Sequence, residues 1–250
     1  MILLIDIGNT RIKWATLDEQ GLGAQCAEIH ADWDVQRLTD VILDSVVRPE
    51  RVLIGNVGGE RIGELARDAI AQRWNIGAEL INSTAEACGV RNAYPEPAKL
   101  GVDRWLAMIA AHALQKRLTC IVSVGTAMTI DGVDASGQHL GGVIVPGPQL
   151  MVTSLLHNTS DIARRAQQGS VTEAVFADNT LGAIRQGAAH ALAALVERSV
   201  ESMRAINGEI PALLLAGGGS PAIEKLIHLP FESRPDLVLQ GLAVFATARR

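Results

Sequence analysis

Four segments of the sequence carry side chains that could do chemistry, and the first lies at the N-terminus, after a short apolar run. Its glycine, Gly8, lets backbone N–H groups approach a phosphate, and Asn9 and Thr10 add donors. An acid at the end of a buried strand needs a cation or a partner, so Asp6 is predicted to hold Mg²⁺. The expected ATP contacts in this segment are Asp6, Ile7, Gly8, Asn9, Thr10, Arg11, Ile12 and Lys13. An ordinary hairpin turn capped by Asp6 is the alternative.

A second glycine turn lies in the middle of the chain, between Ser123 and Thr129. Small residues and hydroxyl groups around Gly125, above all Thr126, suit the β- and γ-phosphates of a nucleotide. Taken alone, this segment is equally consistent with a plain turn. As the partner of the N-terminal turn, it would hold a nucleotide from the opposite side.

The third segment is a run of three glycines, Gly217, Gly218 and Gly219, between a predicted strand and a predicted helix. Such a run lets the backbone approach a flat adenine or ribose. A tight strand-to-helix connection explains it equally well. Ser220 is the expected N-cap of the helix that follows, through Ile227.

The fourth segment, Gly101-Val102-Asp103-Arg104, opens a predicted helix. A carboxylate such as Asp103 can accept or orient the proton of an alcohol, while Arg104 can hold an anionic group. A first helical turn with an acid that is favourable to the helix dipole is the alternative. Tyr94, the single tyrosine of the chain, lies shortly before this segment and is either a substrate contact or a surface residue.

Composition excludes several other classes of protein. The chain has 250 residues and a formal charge of −5 without a block of Lys and Arg, which argues against nucleic acid as the main partner. No G-x-x-x-x-G-K-[ST], H-E-x-x-H or G-x-S-x-G motif occurs. No signal peptide and no apolar stretch near ~20 residues is visible, so we expect a cytoplasmic protein without a membrane span.

The predicted elements place the glycine turns in two similar halves. The first turn is flanked by the strand Ile2–Ile5 and a strand that returns through Leu17, and the second by strands at 120–124 and 128–133. Helices are predicted over 33–47, 60–73, 101–116 and 178–204, with a final one after Pro235. A duplicated α/β unit with a cleft between its halves is the simplest interpretation, with domains at 1–117 and 118–250.

These motifs, in this order and over nearly the whole chain, resemble those of type III pantothenate kinases. Asp6 to Lys13 is similar to the family's first phosphate loop, Gly125-Thr126-Ala127 to its second, and Gly217–Gly219 to its adenosine motif. The resemblance makes Thr126 an ATP contact and Asp103 the catalytic base. It also implies substrate contacts at Tyr94, Gly101, Val102, Asp103, Arg104 and Thr180.

The resemblance implies duplicated ribonuclease H-like (actin-like ATPase) α/β domains with a nucleotide cleft between them. It also implies a homodimer that transfers phosphate from ATP, with Mg²⁺, to pantothenate in the first step of coenzyme A biosynthesis. Many members require K⁺ or NH₄⁺. Their usual cation ligand is an Asp two residues before the second glycine, where this chain has Ser123, so the monovalent cation ligand is left open.

Two other functions are consistent with the same motifs. One is a different small-alcohol kinase, or a phosphatase, of the same superfamily. The other is a regulatory protein that depends on a nucleotide but has no catalytic activity. The presence of Asp103 together with Arg104 and Tyr94 favours the pantothenate kinase.

Overall fold

The structure, a computed structural model, describes residues 1–166 and 175–248. Its strands are β1 (Ile2–Ile7), β2 (Arg11–Asp18), β3 (Gly21–Leu22), β4 (Cys26–Ile29), β5 (Arg51–Asn56), β6 (Ala78–Ile81), β7 (Glu86–Ala87), β8 (Val90–Arg91), β9 (Thr119–Val124), β10 (Ala127–Val133), β11 (His139–Pro146), β12 (Ala212–Ala216) and β13 (Glu232–Ser233). Its α-helices are α1 (Val35–Leu38), α2 (Glu60–Trp74), α3 (Val102–Leu114), α4 (Pro148–Asn158), α5 (Ser160–Arg165), α6 (Thr180–Asn207) and α7 (Leu237–Ala248).

The chain forms two compact units that are not continuous in sequence. One comprises Met1–Lys116, Ser136–His139 and Asp236–Arg250, and the other Arg117–Ala135 and Leu140–Pro235. The C-terminal helix α7 therefore belongs to the unit that contains the N-terminus. The division of the sequence into an N-terminal domain at 1–117 and a C-terminal domain at 118–250 stays a prediction.

The first unit is built on a mixed sheet in the order β3-β2-β1-β5-β6, with β4 also paired to β2. β1 is antiparallel to β2 and parallel to β5, and all six of its residues are buried. Side chains alternate along a strand. Leu3, Ile5 and Ile7 accordingly share a core with α1 and α2, while Leu4 and Asp6 point to the opposite face, where α3 and α7 pack.

The second unit repeats this arrangement. Its sheet has the order β11-β10-β9-β12-β13, in which β9 is antiparallel to β10 and parallel to β12. One face of β9 packs on the long helix α6 through Cys120, Val122 and Val124. Each unit thus contains a hairpin closed by a glycine turn, as the sequence repeat predicted, and the structure adds two parallel strands to each hairpin.

Two predictions about elements were wrong, and one helix was missed. No α-helix follows the three glycines: 3₁₀ turns cover Ser220–Ala222 and Glu224–Leu226, and the Ser220 hydroxyl bonds Glu224 instead of capping a helix. The helix predicted over 33–47 is limited to α1 and a π-helical turn at Thr39–Leu43. Helix α4 was not predicted, although Pro148 at its first position suits a helix start.

Within the part of the chain that the structure describes, no helix is long and apolar enough to cross a membrane.

The contact between α3 and α7 depends on a glycine. A Cβ added at Gly241 in α7 would lie 2.1 Å from the carbonyl oxygen of Leu106 in α3. We expect Gly241→Ala to force the helices apart and to lower the free energy of unfolding by about 1–3 kcal/mol, measured by urea denaturation. Gly187→Ala in α6, where a Cβ would meet nothing within 4 Å, is the control. It should raise stability by about 0.5–1 kcal/mol through helix propensity, and equal effects of the two changes would contradict the close packing.

Candidate active site

The hairpin turn at Gly8 is fixed by backbone contacts on several sides. The Gly8 N–H donates to the Arg11 carbonyl at 2.9 Å, and a Cβ at Gly8 would lie 3.1 Å from that oxygen. Gly58 packs against the turn so closely that a Cβ there would lie 2.6 Å from the Gly8 carbonyl oxygen. Asn9, Thr10 and Arg11 are exposed at the tip, where a ligand can reach them.

Asp6 lies in a row of residues across three strands. It pairs with Lys13 of β2 on one side and with Gly55 of β5 on the other. Because Gly55 has no side chain, helix α3 approaches this row closely: a Cβ there would lie 2.9 Å from a methyl group of Leu106. Asp103 lies in the first turn of the same helix. The fold therefore brings two carboxyl groups and one ammonium group to the carboxyl end of β1.

The carboxyl group of Asp6 is buried, and this burial raises its pKa from 3.8 to about 6. The nearby Lys13 lowers the pKa of Asp6, and the charge of Asp103 raises it further.

A divalent cation would favour the ionised form of both acids. The residues therefore fit Mg²⁺, which proteins often hold through one or two carboxylates while substrate phosphates supply other ligands. No cluster of three or more His, Cys, Asp or Glu side chains suited to a metal occurs within residues 1–166 and 175–248.

The predicted substrate residues Tyr94, Asp103 and Arg104 meet in the first unit. Nη1 of the buried Arg104 donates to the hydroxyl of Tyr94 at 3.0 Å, and its guanidinium carbon lies 5.7 Å from the Tyr94 ring centroid. One carboxylate oxygen of Asp103 accepts a hydrogen bond from the backbone N–H of Arg104 at 2.9 Å. A Cβ at Gly101 would lie 2.7 Å from that same oxygen, so this carboxylate position requires glycine at 101.

The second unit brings together the other two glycine segments. Gly217, with φ of +89°, packs so tightly that a Cβ would lie 2.2 Å from the Val124 carbonyl oxygen, and the Gly219 N–H donates to that oxygen at 2.9 Å. The turn at Gly125 is one residue shorter than the turn at Gly8, since its N–H donates to the Ala127 carbonyl. Gly147 contacts the turn from the other side, and its N–H donates to the Thr126 carbonyl at 2.8 Å.

A pocket of about 590 Å³ in this unit is lined in part by residues that follow the three glycines in sequence, and its size is typical of small-molecule sites. Its walls are α4, α6 and the 3₁₀ turns after Gly219, with two cationic side chains, Arg185 and Lys225. The predicted contact Thr180 is the first residue of α6, whose N-cap Asn179 accepts the Gly182 N–H at 2.8 Å. The ligand roles of Thr126, Thr180 and Gly217–Gly219 stay predictions.

Sequence reasoning missed two histidines that support the first-unit site. His30 is buried directly after β4, and its Nε2 donates to the Gly8 carbonyl at 2.7 Å, which implies the Nε2–H tautomer. The buried His139 stacks on Tyr94, with ring centroids 6.1 Å apart and an angle of 12° between the planes. Both lie more than 20 positions from the residues they contact, and no local pattern marks them. Their contacts form only when distant parts of the chain come together in the fold.

The arrangement is that of a phosphotransferase built on repeated α/β units. Comparison with known proteins agrees with this class. The chain matches the type III pantothenate kinase family over residues 2–202. It is 39% identical to the type III pantothenate kinase of Aromatoleum aromaticum (98% of each chain) and 35% identical to that of Nitrosococcus oceani (97% of this chain, 92% of the relative). The chain belongs to the type III pantothenate kinase family.

The fold is shared more widely than the family. Component A of (R)-2-hydroxyglutaryl-CoA dehydratase from Acidaminococcus fermentans superposes with a TM-score of 0.57 over 100% of this chain and 99% of that one, at 12% identity. Such a likeness concerns the fold alone. It confirms the predicted class, the α/β fold of the actin-like ATPases.

The raised pKa of Asp6 predicts a dependence of stability on pH. Because the folded protein binds this proton more tightly than the unfolded chain, ionisation of Asp6 should destabilise the fold progressively as pH rises from about 4 to about 6. In EDTA, wild type should lose about 3 kcal/mol relative to Asp6→Asn across this range, measured by urea denaturation. The control is Asp68→Asn at an exposed position of α2. A gain for wild type as pH rises would contradict the raised pKa.

The contact from His30 predicts an effect on nucleotide binding. In His30→Ala the Gly8 carbonyl loses its donor and the turn loses a fixed position, so affinity for Mg²⁺-ATP should fall by about 3–10-fold. Titration with a fluorescent ATP analogue measures this. His30→Gln, which keeps an N–H donor, should recover part of the affinity, and His228→Ala at an exposed site should change nothing. Full affinity in His30→Ala would show that the contact does not position the turn.

Proposed function

We propose that this protein transfers the γ-phosphate of ATP to the primary alcohol of pantothenate, giving 4'-phosphopantothenate, in the first step of coenzyme A biosynthesis. The observation that carries the proposal is the proximity of Asp103 to Asp6 at the carboxyl end of β1, since a carboxylate there is suited to act as the acceptor base near the proposed phosphate turn at Gly8. Membership of the type III pantothenate kinase family supports pantothenate as the acceptor.

On the ATP side, the backbone from Gly8 to Lys13 contacts the phosphates and Lys13 neutralises part of their charge. Asp6 would hold Mg²⁺, which would supply charge neutralisation at the phosphate oxygens. Thr126 is kept as a further phosphate contact. The adenosine is assigned to the pocket beside Gly217–Gly219, whose size suits it.

On the acceptor side, Asp103 orients the pantothenate hydroxyl and takes its proton as the oxygen attacks the γ-phosphorus and ADP leaves. Arg104 and Tyr94 bind the carboxylate and amide end, because a guanidinium held by a hydrogen bond and a ring contact is pre-organised for an anion. Phosphoryl transfer needs little covalent chemistry from the protein, so positioning and charge neutralisation supply most of the catalysis. Thr180 is kept as a further substrate contact.

Several properties of the family remain proposals for this chain. They are a homodimer, a K⁺ or NH₄⁺ requirement, a cytoplasmic location, and no nucleic acid or membrane as partner. The cation requirement is the most open of these. Ser123, half-buried in β9 beside Thr129 of β10, offers a neutral hydroxyl where relatives use a carboxylate.

The test of function and of the base uses ADP release coupled to NADH oxidation, with ATP, Mg²⁺ and pantothenate, with and without K⁺ and NH₄⁺. Wild type should turn over pantothenate. Asp103→Asn should lower kcat by about 10²–10⁴-fold, because an amide cannot take the proton although its oxygen can still accept the Arg104 N–H. ATP binding should be retained.

The control is again Asp68→Asn, which should keep full turnover. Near-normal turnover in Asp103→Asn would contradict the role of Asp103. No ADP release from wild type with pantothenate under every cation condition would contradict the function itself.

A further inference from the structure

A second pocket, of about 270 Å³, lies in the first unit, and apart from Gly101 and Val102 its lining residues have no role in the assignments above. It lies at the carboxyl ends of the parallel strands β5 and β6, where ligands bind in open α/β sheets. The start of α3 closes it, so it adjoins the segment that carries Asp103. Its lining residues are Asn56, Val57, Asn82, Ser83, Ala98, Lys99, Leu100, Gly101 and Val102.

Ser83 is the unusual member of this lining. Its side chain is buried, with 7% of the residue exposed, and its hydroxyl has no hydrogen-bond partner among the described residues. Buried hydroxyl groups in folded proteins are nearly always paired, because an unpaired one keeps its full desolvation penalty. The hydroxyl is therefore suited to a ligand in the pocket.

The other polar groups of the lining already have partners or face solvent. The amide of Asn56 accepts the Gly58 N–H and donates to the Gly59 carbonyl, both at 2.9 Å. Asn82 is exposed. The one cation, Lys99, is exposed and paired with Glu96 at 2.8 Å. Ser83 is thus the buried polar group of the lining that lacks a partner.

The charge of the lining selects the kind of group that it can bind. With Lys99 paired, the lining offers no unpaired cation for a carboxylate, and its remaining walls, such as Val57, Leu100 and Val102, are apolar. An uncharged hydrogen-bonding group flanked by branched hydrocarbon matches such a lining. The central amide of pantothenate, which one hydroxyl-bearing carbon separates from the dimethyl carbon, has this chemistry.

We propose, on the basis of the function proposed above, that Ser83 is a specificity-determining residue whose hydroxyl hydrogen-bonds to the uncharged amide of the alcohol acceptor. This contact to the amide is additional to those of Arg104 and Tyr94, which are assigned to the end of pantothenate that carries the carboxylate and the amide. Ser83 acts in recognition and takes no part in proton transfer. Its loss therefore affects the affinity for the acceptor and leaves both kcat and the KM for ATP unchanged.

The test compares Ser83→Ala with Ser45→Ala, whose hydroxyl donates to the Ile42 carbonyl far along the chain from the pocket. Ser83→Ala should raise the KM for pantothenate by about tenfold or more, since a buried amide would lose its partner. Calorimetric titration should show the same loss in the Kd for pantothenate. Ser83→Cys, of similar shape but weaker in hydrogen bonding, should fall between wild type and Ser83→Ala. Ser45→Ala should match wild type.

The thermal midpoint of the ligand-free protein separates this role from a structural one. Removing an unpaired buried hydroxyl should leave the midpoint unchanged or raise it. A lowered midpoint with an unchanged KM would mean that the hydroxyl serves the fold, and would overturn the proposal. Wild type that neither binds nor phosphorylates pantothenate would refute the proposed function and this inference with it. Activity in wild type with an unaltered Ser83→Ala would refute this inference alone.

Discussion

The burial of the Asp6 carboxyl group constrains the rest of the candidate site. A carboxylate at the end of a central strand is stable only when a cation compensates it, and the fold supplies one ammonium group, on Lys13. Asp103 adds a second negative charge to the same region. The proposed Mg²⁺ would favour the ionised form of both acids, so its binding would offset the cost of burying Asp6.

Glycines in both units allow close approaches of the backbone, and each does so in a different way. Gly55 removes a side chain so that α3 can bring Asp103 towards the sheet, whereas Gly101 leaves room for the Asp103 carboxylate itself. Gly217 has a left-handed conformation and lies directly on the Val124 backbone. An alanine would disturb a helix position, a side-chain orientation or a turn, respectively. The high glycine content of the motifs thus reflects several separate steric requirements.

Local patterns were sufficient to predict the repeated strands and glycine turns. Apolar runs ended by glycine mark β1 and β9, and the period of apolar residues marks α2, α3 and α6. The helix predicted after Gly219 is replaced by two 3₁₀ turns, in which the Ser220 hydroxyl bonds the Glu224 side chain. His30 and Ser83 could not be found in this way, because the hydrogen bond of His30 and the pocket around Ser83 exist only in the folded chain.

The acceptor side of the site differs from the phosphate side in how it is made rigid. The turn at Gly8 is held by the backbone bond from Gly8 to Arg11 and by the His30 side chain, while the position of Tyr94 is set by three side chains. Arg104 donates to its hydroxyl, His139 stacks on its ring, and Asn92 accepts its backbone N–H at 3.0 Å. A tyrosine fixed on three sides loses little further entropy when a substrate arrives. In the proposed function, this set of side chains determines which acceptor the first unit binds.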